Sequence, residues 1–287
     1  MTQQTSPMTD PFCLTAALFE GREHNPHALL GLHNAAQGTV IRLWRPEAQS
    51  VHLEVLGKIV EARRVDPRGL FEYASSQIIQ RRDYRIYHND GTLHHDPYAF
   101  APLIGEMDAY LYNAGCHYQP YQMLGANLRA VEGIAGVHFA LWAPNARSVS
   151  LVGDFNYWDG RVYPMRSMGS SGIWELFGPG LQEAARYKYE IRKKEGNLVI
   201  KSDPCAFSSE VRPKTASVVA DLDRHQWNDA KWMAQRCSVA RNQPLNMYEV
   251  HLGSWKSYGV EFPNFRQIAP DLAKYCKEMG FTHVELL

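Results

Sequence analysis

The sequence predicts a mainly β protein: two tandem antiparallel β-sandwiches, then one βαβ unit of a third domain that the chain does not complete. Three observations lead there. Short motifs recur in the same order about 100 residues apart. Each copy reads as short strands separated by turns. After Pro244 the pattern changes to strand, helix, strand.

The repeat is the primary signal. Residues 44–51 read Trp-Arg-Pro-Glu-Ala-Gln-Ser-Val and residues 142–149 read Trp-Ala-Pro-Asn-Ala-Arg-Ser-Val, five identities in eight at an offset of 98. Upstream, Leu30-Gly31 matches Leu124-Gly125. Downstream, Gly69-Leu70-Phe71-Glu72 matches Gly172-Ile173-Trp174-Glu175, and Asp96-Pro97-Tyr98-Ala99-Phe100 matches Asp203-Pro204-Cys205-Ala206-Phe207. The offset grows from 94 to 107 along these anchors, which places short insertions in the loops of the second copy.

Strands are predicted at 40–44, 51–55 and 84–87 in the first copy, and at 137–142, 149–152, 187–191 and 198–201 in the second. Their β-branched and aromatic residues alternate or run apolar. Asn89-Asp90-Gly91 and the Lys-Glu-Gly-Asn stretch after Lys193 are hairpin signals. Each Trp-x-Pro motif should end a strand, because proline cannot extend a ladder. Ahead of the first copy, Leu14, Ala17 and Leu18 have helical spacing, and Gly21 would stop that helix. A polar connector, Arg224 to Asn242, leads to a strand at 247–252. An amphipathic helix follows, with Ile268, Leu272, Tyr275, Cys276 and Met279 as its apolar positions and Pro270 in its first turn. A second strand at 281–287 completes one βαβ unit. Two parallel strands leave a sheet poorly covered, so the chain reads as part of a longer protein.

Composition narrows the function. The 287 residues are 45% hydrophobic, and Lys plus Arg balance Asp plus Glu at 30 each. A neutral chain has no general attraction to nucleic acid or to an anionic membrane, so a neutral partner is expected. No apolar run approaches the roughly 20 residues that span a bilayer, and no signal peptide is recognisable. Five scattered cysteines fit a reducing cytoplasm, each read as a small buried hydrophobe. His94-His95-Asp96 looks metal-like, but adjacent strand residues face opposite ways; it is read as surface or turn structure, and no metal site is expected. His251 and His283 are read as core residues, and Glu249 and Glu285 as structural carboxylates.

At this point the chain resembles a known family. Residues 248–255, Tyr-Glu-Val-His-Leu-Gly-Ser-Trp, are similar to the first barrel strand of bacterial glycogen branching enzymes, and residues 280–287 to their second. Residues 153–158, Gly-Asp-Phe-Asn-Tyr-Trp, resemble a motif of family-48 carbohydrate-binding modules (CBM48). Tandem copies with an early Leu30-Gly31-Leu32-His33 resemble the longer bacterial enzymes. The resemblance covers about Phe12 to Leu287. It implies two immunoglobulin-like sandwiches and an incomplete (β/α)₈ barrel, divided as 1–115 (helical segment and first sandwich), 116–223 (second sandwich), 224–243 (connector) and 244–287 (barrel start).

The resemblance also implies the chemistry: retaining transfer of α-1,4-glucan segments onto a sugar 6-hydroxyl, forming α-1,6 branches in glycogen. One carboxylate serves as nucleophile and a second as acid and base, without metal or organic cofactor. In the family these groups follow the fourth, fifth and seventh barrel strands, so none is expected before Leu287 and the chain alone should be inactive. The expected partner is glycogen or another α-1,4-glucan, the expected state a cytoplasmic monomer. Trp158 matches the binding tryptophan and Lys188 a sugar-contacting lysine. Against sugar stacking by Trp158 stands packing at a domain junction; against a sugar contact by Lys188 stands a solvated strand lysine. Leu198 stands where strong binders carry a second tryptophan, so the stacking pair is incomplete. The first copy has Leu56-Gly57-Lys58 in place of the tryptophan motif and is read as a spacer or docking module. The rival readings are a non-catalytic glucan-binding protein and a debranching or trehalose-releasing relative.

Overall fold

The computed structural model describes residues 11–35, 38–87, 91–236, 243–259 and 263–287, with only the backbone of residues 11–14. Asn89 and Asp90 of the expected turn, and Cys237, lie outside these residues. The chain divides into two units, Met1–Arg224 and His225–Leu287.

The first unit opens with α1 (Pro11–Phe19), which Gly21 ends in a left-handed conformation with φ 61°. Seven strands follow: β1 (Gly31–Ala35), β2 (Gly38–Trp44), β3 (Val51–Val55), β4 (Lys58–Asp66), β5 (Leu70–Ser75), β6 (Tyr84–Tyr87) and β7 (Leu93–His94). They form one antiparallel sheet in the order β1-β2-β5-β4-β3-β6-β7. The expected sandwich is therefore two layers joined through β4. The first half of β4 pairs with β3, and its second half pairs with β5 around a register shift between Arg64 and Asp66. Ile41, Leu43 and Phe71 from one layer meet Leu53, Val55, Tyr84 and Ile86 from the other in a closed core. The β3–β4 turn is Leu56-Gly57, both with positive φ, the two-residue hairpin geometry that matches strand twist.

Helix α2 (Glu106–Asn113) bridges to the second module. Its strands are β8 (Gly125–Val131), β9 (Ile134–Trp142), β10 (Ala146–Gly153), β11 (Arg166–Ser167), β12 (Ile173–Pro179), β13 (Arg186–Lys193), β14 (Leu198–Lys201), β15 (Ser208–Ser209) and β16 (Ser217–Val218). These form two antiparallel sheets, β11-β12-β9-β8 and β10-β13-β16-β15, with β14 added to β13.

The repeated motifs work in pairs. Asp96 is buried and accepts from the Tyr84 hydroxyl at 2.8 Å; Asp203 accepts from the Tyr187 hydroxyl at 2.7 Å and the Tyr189 hydroxyl at 3.3 Å. Burial pushes both carboxyls up, against the hydrogen bonds from these tyrosines and from the backbone N–H two residues on. Asp96 is thus core, not the surface or turn residue expected from its histidine neighbours. Gly31 and Gly125 complete this pairing. A Cβ on Gly31 would lie 2.7 Å from the Tyr98 carbonyl oxygen, and one on Gly125 the same distance from that of Cys205. The Trp-x-Pro and Gly-x-x-Glu motifs pair likewise: Arg45 N–H donates to the Gly69 carbonyl and Ala143 N–H to that of Gly172, each at 2.8 Å.

The two modules share a core. Leu18, Leu29, Leu30, Trp44, Leu70 and Tyr98 from the first pack in one cluster with Phe139, Leu141, Leu151 and Trp174 from the second. Burying each such side chain contributes roughly 1.5–3 kcal/mol, so this junction holds as firmly as a domain interior. Glu175 closes it. Fully buried, it accepts from Arg166 at 2.8 Å, from the Leu103 and Ile104 N–H groups at 3.2 and 3.1 Å, and lies 3.0 Å from His138 Nε2. Burial alone would raise its pKa, but the His138 and Arg166 partners outweigh that and hold it below the usual carboxylate range. The inter-module segment is thereby stitched to the second module.

In the second unit, α3 (Ala230–Gln235) lies in the connector; then β17 (Met247–Val250), α4 (Leu252–Trp255), α5 (Phe265–Glu278) and β18 (His283–Leu286) follow. β17 and β18 pair parallel, giving the expected βαβ unit. Ile268, Leu272 and Cys276 of α5 are buried against Val250, whereas Met279 is exposed. The helix starts earlier than Pro270 suggested: Asn264 caps it and Gln267 returns a bond to the Asn264 N–H. The first strand ends at Val250 rather than Leu252, because the next residues turn into α4. His251 and His283, expected in a core, are exposed. They contact the Ser254 and Thr282 hydroxyls at 3.0 and 2.9 Å. Of the cysteines, Cys276 is buried, Cys205 half-buried and Cys116 exposed.

Two outcomes are expected from this packing. Tyr84→Phe should destabilise the fold by roughly 1–3 kcal/mol in urea unfolding. Tyr187→Phe should cost less, because Tyr189 still donates to Asp203. The second outcome concerns His27, whose two ring nitrogens are shut off from solvent without a hydrogen-bond partner. Burial, helped by the nearby Arg166 charge, lowers its pKa from 6.5 to about 3. The unfolded chain then binds one more proton over that window, and stability falls as pH drops, by about 1.4 kcal/mol per pH unit. Between pH 6.5 and 4.5, His27→Leu should show a shallower stability slope than the parent; parallel slopes would contradict this.

Candidate functional site

The Gly153–Trp158 motif sits where β10 ends, in a loop that replaces the tight β3–β4 hairpin of the first module. Each residue has a visible task. A Cβ on Gly153 would lie 2.3 Å from the Arg186 carbonyl oxygen, so the loop can leave the sheet there only with glycine. Phe155 turns inward and stacks on Tyr163 at 5.9 Å. Asn156 is buried; its amide donates to the Leu151 and Asp159 carbonyls and its oxygen accepts from Gly153 N–H. These bonds satisfy backbone groups that the loop would otherwise strand.

The aromatic pair that follows is held outward. Tyr157 and Trp158 have φ of 54° and 62°, a left-handed conformation that bulky residues rarely adopt. Tyr157 is 75% exposed and Trp158 36% exposed. The Trp158 indole N–H donates to Asp154 at 3.0 Å, and the other Asp154 oxygen receives Arg186 at 2.6 Å. Arg186 also reaches Glu210. Exposed polar pairs of this kind add little stability, so their effect here is to set the orientation of the indole.

Lys188 lies two residues beyond Arg186 along β13. Arg186, Lys188, Glu190 and Arg192 share the outer face, while Tyr187 and Tyr189 fill the core. The Lys188 ammonium donates to the Thr215 hydroxyl at 2.7 Å. Leu198 stands opposite Arg192 on β14 and is exposed, so the outer face carries an aliphatic side chain there. Trp158, Asp154 and Arg186 thus form one polar chain, and Lys188 lies beside it on the same face of the strand, bonded separately to Thr215. Asp154, Asn156 and Arg186 were not singled out from sequence, although the fixed order of the motif carries the first two.

Such a face has the elements that saccharides engage: a flat indole for an apolar C–H surface, with polar groups beside it for hydroxyls. Among the described residues no cluster of His, Cys, Asp or Glu could hold a metal ion. Glu249 and Glu285 face each other across β17 and β18, both exposed.

Comparison with known proteins agrees with this class. Residues 123–206 match carbohydrate-binding module 48 (isoamylase N-terminal domain). Residues 14–99 match the N-terminal domain of the alpha-1,4-glucan branching enzyme GlgB. The GlgB branching enzyme of Protochlamydia amoebophila is 55% identical over 270 residues, covering 92% of this chain and 37% of that protein. That of Chlamydia felis is 47% identical over 94% of this chain and 37% of its own length, and that of Myxococcus xanthus 46% identical over 93% and 38%. The catalytic module of the glycogen-degrading pneumococcal virulence factor SpuA overlaps 57% of this chain and 26% of its own at 22% identity; its TM-score of 0.42 is too low to argue from. The second module is of the carbohydrate-binding-module 48 type. The chain corresponds to the N-terminal portion of 1,4-alpha-glucan branching enzymes and spans well under half the length of the curated relatives it matches.

The left-handed backbone at Tyr157 makes a local prediction. Tyr157→Gly removes an exposed ring and relieves the conformation, so stability in urea should hold or rise by up to about 1 kcal/mol.

Proposed function

We propose that the chain is the glucan-engaging part of a branching enzyme that forms α-1,6 branches by transferring α-1,4-glucan segments in glycogen synthesis. Its share of that task is to hold the glucan. The observation that carries this reading is the Trp158 indole, displayed by a strained backbone and oriented through Asp154. The indole stacks on a sugar ring, and the Lys188 ammonium moves from Thr215 to donate to a sugar hydroxyl. With one stacking ring and Leu198 where a second could stand, affinity per site is modest, and repeated chains of a glycogen particle raise it by multivalency.

The buried carboxylates of the first unit are held by internal hydrogen bonds, and we assign none of them to chemistry. The catalytic carboxylates belong to the parent enzyme outside this chain, and the two modules with the βαβ unit catalyse no branching by themselves. The first module supports the second through the shared core and has no counterpart of the Trp158 motif, and the chain acts as a monomer. The division at 1–115, 116–223, 224–243 and 244–287 is the working domain scheme, with the last segment as the start of a barrel, and the enzyme is placed in the cytoplasm.

Affinity electrophoresis in glycogen gels tests the reading. The parent chain should be retarded, and Trp158→Ala should bind roughly tenfold more weakly, ~1.4 kcal/mol. Lys188→Ala should retain part of the retardation. Unaltered retardation of Trp158→Ala would remove the site. Joined to the remaining portion of the Protochlamydia amoebophila relative, Trp158→Ala should raise KM for glycogen and leave kcat unchanged, as expected for binding away from the reacting bond.

A further inference from the structure

Tyr157 and Trp158 are neighbours in sequence but serve different surfaces. Trp158 is tied to Asp154. Tyr157 instead lines a groove of about 290 Å³ between the two modules, at the lower end of small-molecule sites, roughly 300–1,000 Å³. The first module supplies Arg45, Ser50 and Tyr87 to it, and the second Phe155 and Tyr157. Both modules belong to the same unit.

From these residues we propose that the groove is a second saccharide-binding site, which takes a short α-1,4-glucan chain end. The proposal rests on the reading that this chain engages α-glucan, and it gives the first module a direct part in that binding. Three features point to a neutral polyhydroxylated ligand. Aromatic side chains from both modules offer flat surfaces for C–H faces. The groove-lining Arg45 turns its guanidinium inward: Nη1 donates to the Trp44 carbonyl at 2.9 Å and Nη2 is closed off from solvent, so its charge is not presented to an anionic ligand. Charge is balanced: the lining carboxylates Glu47 and Asp159 are both bridged by Arg161, at 2.6 and 2.8 Å. A phosphorylated ligand would need an excess of cations that this site does not have.

The Arg161 bridge also spans the modules, since Glu47 belongs to the first and Asp159 to the second. It lies at the edge of the groove and uses up the charge of both lining carboxylates. The left-handed pair at Tyr157 and Trp158 then acts as a fork, with one ring presented to each site. Strain retained at two adjacent exposed aromatics is explained if both rings contact ligand.

Amide-proton NMR of the whole chain, titrated with maltotriose, separates the two sites. In the parent, the indole N–H of Trp158 and the amides of Ser50 and Tyr87 should both shift, with distinct affinities. Ser50→Trp fills the groove from an exposed position; it should weaken the groove shifts at least about tenfold and leave the Trp158 titration within about twofold. Tyr157→Ala should do the same by removing a wall and checks against misfolding of the filled variant. Trp158→Ala should leave the groove titration in place. Groove amides that stay still in the parent, or that titrate unchanged in Ser50→Trp and Tyr157→Ala, would overturn the proposal. Loss of the Trp158 titration alone would instead count against the first site and support the groove.

Discussion

The Glu175 carboxylate is the constraint on which the two-module body rests. A buried carboxylate is tolerated only when partners replace its water. Glu175 obtains them from Arg166 and His138 within its own module and from the Leu103 and Ile104 N–H groups between modules. Those N–H groups therefore cannot wander, and the segment before them is drawn down with them. Arg166 takes the Phe100 carbonyl as well, at 3.1 Å. Tyr98, two residues earlier, enters the shared core, and its hydroxyl donates to the Val162 and Pro164 carbonyls at 3.3 and 3.1 Å. Val162 and Pro164 belong to the same excursion that displays Tyr157 and Trp158. A continuous set of bonds thus runs from a buried charge to the candidate glucan face.

The repeat shows how one motif set serves two ends. In the first module the equivalent glutamate, Glu72, is half-buried and pairs with Arg42 at 2.9 Å. In the second it has become the clamp between modules. Where the first module closes β3 to β4 with Leu56-Gly57, the second opens the loop that carries Trp158. Duplication kept the paired anchors, which each sandwich needs to close, and changed what lies between them.

That division explains what could be read in the sequence. The anchors were legible because each is half of a contact: glycine against a carbonyl, aspartate against tyrosine. The βαβ unit was legible from its change of period, although Pro270 drew the helix start too late and hid the Asn264 cap. Trp158 and Lys188 stand out as candidates only through the resemblance of their motifs, whereas the bonds that orient the indole, through Asp154 and Arg186, arise only when β10 and β13 pair. Helix α2 gave no signal, since Met107 and Tyr110 are exposed and no apolar stripe marks it. The bend of the first sheet through β4 was hidden because Leu56-Gly57 lacks the Asn or Asp that announces a two-residue hairpin. The shared core could not be inferred, because a residue buried between modules and one buried within a module look alike in sequence.

Function then follows from where strain and exposure coincide. The body is firm, and the loop with two adjacent left-handed aromatics is braced from below by Asn156 and Phe155. The most direct test is a crystal structure of the chain with maltoheptaose. The account predicts a glucosyl ring stacked on the Trp158 indole, with a hydroxyl within hydrogen-bond distance of the Lys188 ammonium. Maltoheptaose bound elsewhere with that indole bare would contradict it.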